Sequence, residues 1–455
     1  MEERRNTMED TIVAISSSSG VGAISIIRLS GNEAINIASK VFTKDLTKVA
    51  SHTIHYGYIK DKEEKIDEVL VSVMKSPKTF TREDIVEINC HGGLAPTNKV
   101  LEVLLENGAR LAEPGEFTKR AFLNGRIDLL EAEATMDLIS SKAESTRKIS
   151  INTLTGETSN LIKDLRNELV QIISNIEVNI DYPEYEDIEV ITNENILPNI
   201  KKFKTKLEEI IQKSEDSKVV KEGIKVGIIG RPNVGKSSLL NALLEEEKAI
   251  VTDIPGTTRD IVEGSLVLGG IPLNIIDTAG IRKTDDTVEK IGVEKSLNII
   301  DTADLIIYIL NNNEEITKEE KELLAKIKNK KKIIVVNKID LEEKLNKDLL
   351  DNYIEISVKE NIGIDKIKEE IKRLFNIGEL VSNDITYLSN ARSIALLKKS
   401  LNNINEAIEE INNSNPIDIV ELSLKEAWEN LGKIIGETYT DELLDELFSR
   451  FCLGK

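Results

Sequence analysis

The spacing of apolar positions changes character three times along this chain, dividing it into four stretches. From residue 11 to about 122 it mixes strand-like alternation with two helical stretches. Residues 11–15 and 23–29 read as strands, and residues 32–42 as a helix with Asn32 near its cap. Residues 53–59 and 66–74 are alternating, β-rich runs joined by the polar turn 60–65. Residues 84–89 form a further strand ending at His91-Gly92-Gly93, residues 95–106 a helix, and Glu113-Pro-Gly-Glu-Phe117 a loop.

From about 123 to 220 the period becomes helical. Leu161, Leu165, Leu169, Ile172, Ile173, Ile176 and Ile180 fall on one stripe. Asp181-Tyr-Pro-Glu-Tyr-Glu-Asp187 breaks it, and residues 196–213 carry a second stripe: Ile200, Phe203, Leu207, Ile210 and Ile211. Between 224 and 378 strand and helix alternate, as a parallel α/β sheet requires. Buried strands are expected at 226–229, 305–309, 333–336 and 353–356, with a hairpin from 265–268 through Gly269-Gly270 into 273–276. After about 384 the helical period returns in residues 391–411, 417–435 and 440–451, the last capped by Thr440.

The expected fold class is α/β plus α. It comprises an N-terminal mixed α/β domain (1–122), a helical domain in two parts (123–218 and 380–455), and a Ras-like P-loop domain (219–379) inserted between them. Two separate helical domains are the alternative to an insertion.

Composition narrows the picture little. The net charge of −20 is unlike a whole-surface nucleic-acid binder, so any RNA phosphate would meet a local basic patch or a partner protein. No stretch approaches the ~18–20 apolar residues of a membrane span. The two cysteines form no disulfide framework, and the charged start resembles no signal peptide, so a cytoplasmic location is expected. Translation can begin at Met1 or at Met8.

The chemistry lies in the third segment. Gly230-Arg-Pro-Asn-Val-Gly-Lys-Ser237 stands between a strand and a helix, the setting in which a P-loop turns its N–H groups onto phosphate. Asn233, Val234, Gly235, Lys236, Ser237 and Ser238 are its nucleotide contacts; Lys236 reaches the β/γ-phosphates and Ser237 ligates Mg²⁺. Thr252, Asp253, Ile254, Pro255, Gly256, Thr257 and Thr258 occupy the place of a γ-phosphate-sensing switch, with Thr258 the second Mg²⁺ ligand. In Asp277, Thr278, Ala279 and Gly280, Asp277 can hold Mg²⁺ through water and Gly280 can meet the γ-phosphate. Asn337, Lys338 and Asp340 supply a carboxylate for the guanine N1–H and 2-amino group, which selects GTP over ATP by ~10⁴-fold or more. Ser357, Val358 and Lys359 back the base. Where Ras-type GTPases place a water-orienting Gln, this chain has Ile281.

Pro114-Gly-Glu-Phe-Thr118, Arg120-Ala-Phe-Leu-Asn-Gly-Arg126, Thr252-Asp-Ile-Pro-Gly-Thr-Thr-Arg-Asp260 and the terminal Phe451-Cys-Leu-Gly-Lys455 resemble the MnmE (TrmE) family of tRNA-modification GTPases over essentially the whole chain. The resemblance implies a K⁺ site at Asn233, Thr252, Ile254 and Thr257, completed as two G domains dimerise, and a catalytic glutamate at Glu289. It implies binding of 5-formyl-tetrahydrofolate or a related one-carbon folate by Arg28, Glu87, Arg126 and Lys455 in an N-terminal domain that dimerises. Position 126 is Lys in some members. It further implies an FAD-dependent partner, MnmG (GidA), with which an aminomethyl or carboxymethylaminomethyl group is placed on C5 of the wobble uridine of certain tRNAs, the tRNA being held largely by that partner. Cys452 is a reactive-thiol candidate, while Cys90 and His91 read as structural. A ribosome-assembly GTPase of the Era/Der kind shares the P-loop pattern and is the alternative.

Overall fold

The computed structural model describes residues 10–18, 20–181, 193–246, 262–276, 299–382 and 387–454. It contains two compact units. One runs to Met136 and takes back the chain from Leu431 onward; the other is Asp137–Asn430. The expected second helical part, 380–455, is therefore divided between them.

In the first unit, β1 (Ile12–Ile15), β2 (Ile24–Ser30), α1 (Ala34–Val41), β3 (Thr53–Asp61), β4 (Glu64–Met74), β5 (Ile85–His91), α2 (Leu94–Glu106), β6 (Arg110–Leu111) and α3 (Glu116–Leu123) follow in order. The six strands lie in the order β3-β4-β5-β2-β1-β6. All neighbours are antiparallel except β1 and β6. Val69, Val71 and Val73 of β4 and Val86, Ile88 and Cys90 of β5 face α1 and α2 in one core. The two-residue period turns Glu68, Leu70 and Ser72, and Glu87, Asn89 and His91, to the other face. Phe117 of α3 covers that second face over Ile12 and Ala14. Over β3 and β4 it stays open, with Ile54, Tyr56 and Leu70 at 65%, 54% and 46% exposure.

Three local expectations shift. Asn32 does not cap α1; the helix starts at Ala34, and the N–H of Glu33 donates to Thr11 Oγ1 instead. The polar turn at 60–65 shortens, because Lys60 pairs with Lys65 and Asp61 with Glu64 and carries the ladder outward. The loop after Pro114 becomes helix at Glu116, whose carboxylate accepts from the Glu113 N–H at 2.8 Å.

The helix α4 (Leu129–Ser140) leads into the second unit, followed by α5 (Glu144–Leu154), α6 (Glu157–Asp181) and α7 (Asn193–Glu222). In α6 the buried stripe starts at Ile162, not Leu161, and Ile180 is exposed. The second stripe is buried throughout, and α7 continues past residue 213 through the buried Ser214, Ser217 and Val220.

The inserted domain then runs β7 (Ile224–Ile229), α8 (Lys236–Glu246), β8 (Val262–Leu268), β9 (Ile271–Ile276), β10 (Leu305–Asn311), α9 (Lys318–Lys326), β11 (Lys332–Asn337), β12 (Tyr353–Glu355), α10 (Ile364–Leu374) and α11 (Ile377–Ser382). Its strand order is β12-β11-β10-β7-β9-β8, with β8 alone antiparallel to its neighbour. Leu305, Ile307 and Ile309 of β10 enter one core, and Ile306, Tyr308 and Leu310 enter the other. A sheet covered on both faces explains why these strands read as unbroken apolar runs. Each such side chain contributes about 1.5–3 kcal/mol by leaving water. The helices α12 (Ala391–Asn412) and α13 (Ile417–Ile435) follow. In the first unit α14 (Asp441–Ser449) is capped by Thr440, whose hydroxyl accepts from the Leu443 N–H at 3.3 Å. Among the described residues no helix is long and apolar enough to cross a membrane.

Candidate nucleotide and folate sites

β7 ends in the middle of the parallel sheet, with Ile229 paired to Tyr308 of β10. The chain then turns through Gly230, Asn233 and Gly235 at φ 150°, 62° and 100° into α8. A β-carbon on Gly235 would lie 2.3 Å from Asn337 Nδ2, so any other residue at 235 must displace the Asn337 side chain. Lys236 Nζ donates to the Gly230 and Arg231 carbonyls at 2.8 and 2.7 Å. Burial lowers its pKa, which makes an incoming phosphate a favourable partner for the charged form. Val234 is buried, Asn233 is exposed, and Ser237 and Ser238 sit in the first turn of α8.

Asn337, at the end of β11, connects three motifs. Its Nδ2 donates to the Val234 carbonyl at 2.8 Å, and its Oδ1 accepts the Val358 N–H at 3.3 Å. The Ser357 hydroxyl donates to Asp340 Oδ1 at 2.7 Å and accepts from the Glu360 N–H at 3.2 Å. That hydroxyl holds the Asp340 carboxyl below its ordinary value and so favours its ionised, accepting form. Lys338 and Lys359 flank Asp340 and lower it further. The phosphate loop and the base pocket are thus joined by the protein's own hydrogen bonds.

Arg231 points elsewhere, pairing with Glu314 at 3.0 Å, while Asn311 Nδ2 donates to the other Glu314 oxygen at 2.7 Å. Neither partner lies in a motif; their one signal is a polar tract closing an otherwise apolar strand. Thr252, Asp253, Ile254, Pro255, Gly256, Thr257 and Thr258, with Asp277, Thr278, Ala279 and Gly280, lie outside the described residues, as do Glu289 and Lys455. Among the described residues no three His, Cys, Asp or Glu side chains form a metal cage. A Mg²⁺ held by one or two protein oxygens and substrate phosphates needs no such cage.

In the first unit Arg28 Nε donates to Glu87 Oε1 at 2.8 Å, as β2 and β5 pair these residues directly. Arg28 Nη1 and Ser16 Oγ both donate to the Gly454 carbonyl, at 3.3 and 3.1 Å. The Arg28 guanidinium lies 5.7 Å from the Phe117 ring centre. Arg126 stands apart from this pair, 4.8 Å over Phe80, a ring that packs on the Phe117 cluster. No spacing or periodicity marks Phe80 or Phe117 as site residues, although Phe117 lies inside Pro114–Thr118. Cys90 is buried, and burial raises its thiol pKa. His91 is exposed, with Nδ1 2.6 Å from Asp67 Oδ1, and that carboxylate raises the imidazole pKa. Cys452 is exposed.

A phosphate loop on a parallel sheet, joined to a carboxylate-bearing base pocket, defines a P-loop GTPase, an enzyme that hydrolyses GTP with Mg²⁺. Relatives extend well beyond that domain. A tRNA modification GTPase MnmE of Ligilactobacillus salivarius is 50% identical over 455 residues, covering 98% of each chain. One of Bacillus licheniformis is 52% identical, covering 98% of this chain and 100% of its own. The family described as the TrmE N-terminus matches residues 11–126, and the MnmE helical domain matches residues 129–452. The chain belongs to the MnmE family of tRNA modification GTPases. Full-length identity, including the domain ahead of the P-loop, decides against the ribosome-assembly alternative.

Proposed function

We propose that the chain is a potassium-activated GTPase that works in the cytoplasm with an FAD-dependent partner of the MnmG (GidA) kind. Together they add an aminomethyl or carboxymethylaminomethyl group to C5 of the wobble uridine of certain tRNAs. The relatives' shared name supports tRNA modification. The contact that carries the one-carbon part is the meeting of Arg28, Glu87 and the Gly454 carbonyl. It sets a cation, a carboxylate and the chain end beside one another on a β-sheet face. Glu87 suits the amino-pyrimidine edge of a pterin, and the basic groups Arg28, Arg126 and Lys455 suit the carboxylates of a folate tail. When bound, the folate supplies the one-carbon unit.

The open sheet face supports a homodimer. Ile54, Tyr56 and Leu70 form an apolar surface of the kind a second copy covers. In the GTPase site, Ser237 and Thr258 are the Mg²⁺ ligands, and Asn233, Thr252, Ile254 and Thr257 the potassium ligands. Potassium supplies positive charge at the transferring phosphate. Asn233 suits that role, since its backbone at φ 62° is one that Asn tolerates and its side chain is exposed. Glu289 orients the attacking water in place of the Gln that Ile281 replaces.

Mass spectrometry of tRNA nucleosides from cells lacking the protein tests the central claim. The C5 group should vanish from wobble uridines; an unchanged nucleoside profile refutes it. Hydrolysis should be faster in KCl than in NaCl at matched ionic strength, and equal rates refute the potassium site.

A further inference from the structure

The β8–β9 hairpin occupies a particular place in the chain. Its first strand begins just after the switch stretch 252–260, and its second ends at Ile276, directly before Asp277. Both loops that should sense the γ-phosphate are therefore tethered to one end of a single two-stranded element. At about 3.3 Å per residue, its six- and seven-residue strands place the turn about 20 Å from those tethers.

That far end is held by the helical part of the same unit. Ser145, in the first turn of α5, donates its hydroxyl to the Gly270 carbonyl in the turn. One helical turn on, Ile149 is 1% exposed and joins the core formed by Leu266, Leu268, Ile271 and Leu273 of the hairpin. Asn274 Nδ2 donates to the Glu222 carbonyl at the end of α7 at 2.8 Å. At the turn itself, a β-carbon on Gly269 would come within 2.9 Å of Ile377 of α11. A domain that only needed to bind GTP has no use for α5 contributing a side chain to its core.

We propose that α5 positions the two γ-phosphate loops for hydrolysis through the β8–β9 hairpin, with Ser145 and Ile149 as the positioning residues. Neither touches nucleotide. A hydrogen-bonded hairpin moves as one piece, so a shift of its turn reaches both tethered ends together. The phosphate loop follows β7, and Asn337 and Asp340 follow β11; β9 pairs with β7 through Leu273–Ile276, so the turn at Gly269 and Gly270 lies outside that ladder. The contact therefore acts on turnover and leaves ground-state binding in place.

The test uses the full chain with Ser145→Ala, Ser145→Thr and Ile149→Val, each mild enough to keep the fold, checked by circular-dichroism melting. We expect Ser145→Ala and Ile149→Val to change kcat by threefold or more. The KM for GTP and the affinity for a fluorescent GDP should stay within twofold, and Ser145→Thr, which keeps the hydroxyl, should restore kcat. The proposal is overturned if kcat is unchanged in both variants. It is equally overturned if kcat and affinity fall together, the mark of general loosening, or if Thr at 145 does no better than Ala.

Discussion

Gly235→Ala tests whether the phosphate loop and the base pocket form one unit. The new methyl would sit 2.3 Å from Asn337 Nδ2, and the backbone at φ 100° is one that L-residues rarely adopt. The backbone strain costs about 1–3 kcal/mol. Displacing Asn337 breaks its bonds to the Val234 carbonyl and the Val358 N–H, about 1 kcal/mol each. The sum, about 3–5 kcal/mol, weakens nucleotide binding by ~10²- to ~4 × 10³-fold at tenfold per 1.4 kcal/mol. Asn337→Ala alone loses the same two bonds and leaves both backbone groups unpaired, for about 2–3 kcal/mol. The decisive measurement is the double variant, titrated with a fluorescent GDP. With the Asn337 side chain gone there is nothing left to strike, so only the strain at 235 adds to the loss. The two effects should fall short of additivity by about 2 kcal/mol. Strict additivity, or binding by Gly235→Ala within threefold of the parent, refutes the argument.

Four further outcomes follow from the same structure. The Asp340 carboxyl should titrate below its ordinary value of 3.8 in carbon-detected NMR, because the Ser357 hydroxyl stabilises the anion. A lowered pKa means its acceptor form is complete above that ordinary value and is lost only as pH falls through the lowered one; Ser357→Ala should move the midpoint up, and an unmoved midpoint refutes the assignment. Arg120 is 2% exposed and bonds Glu83, Glu116 and Asp10, so Arg120→Leu should destabilise the protein by about 3–5 kcal/mol in urea unfolding, and a loss under about 1 kcal/mol would contradict the buried-pair reading. Burial alone would raise the Glu116 carboxyl, yet Arg110, the Glu113 N–H and Arg120 hold it below its ordinary 4.5; that part of the stability is present above 4.5 and is lost as pH falls through the lowered value. Arg28→Ala should abolish calorimetric binding of 5-formyl-tetrahydrofolate to the full-length chain, and undiminished binding would remove Arg28 from the folate site.

What the sequence makes legible here is periodic or contiguous. Two-sided burial shows directly in β10, whose seven residues are all buried, and the one-sided sheet shows in the alternation of β4. Motifs such as 230–237 are readable because one short loop must do several jobs at once. The errors arise where a distant group satisfies a local need. Asn32 is a good cap by type, but Glu33 stands at the cap position, its N–H held by Thr11 just ahead of β1, and the first helical N–H, that of Ala34, donates to the Gly31 carbonyl. Glu113–Phe117 looks like a loop because Pro and Gly dominate it; the Glu116 carboxylate, fixed by Arg110 at 2.6 Å and Arg120 at 3.0 Å, starts a helix there.

The same distinction separates the two halves of the candidate chemistry. The nucleotide pocket announces itself because each of its motifs is local, and the structure adds only the bonds of Asn337 that join them. The Arg28 site is the opposite case. Glu87 is reached through strand pairing, and the Gly454 carbonyl is 426 positions away in the chain. Neither spacing nor periodicity can express that meeting, so only a family resemblance could propose those residues together. A site assembled from both chain ends also makes a demand the nucleotide pocket does not. The last residues must be folded back onto β2 before the site exists, so removing 452–455 should disable it while leaving the P-loop's affinity for GTP intact.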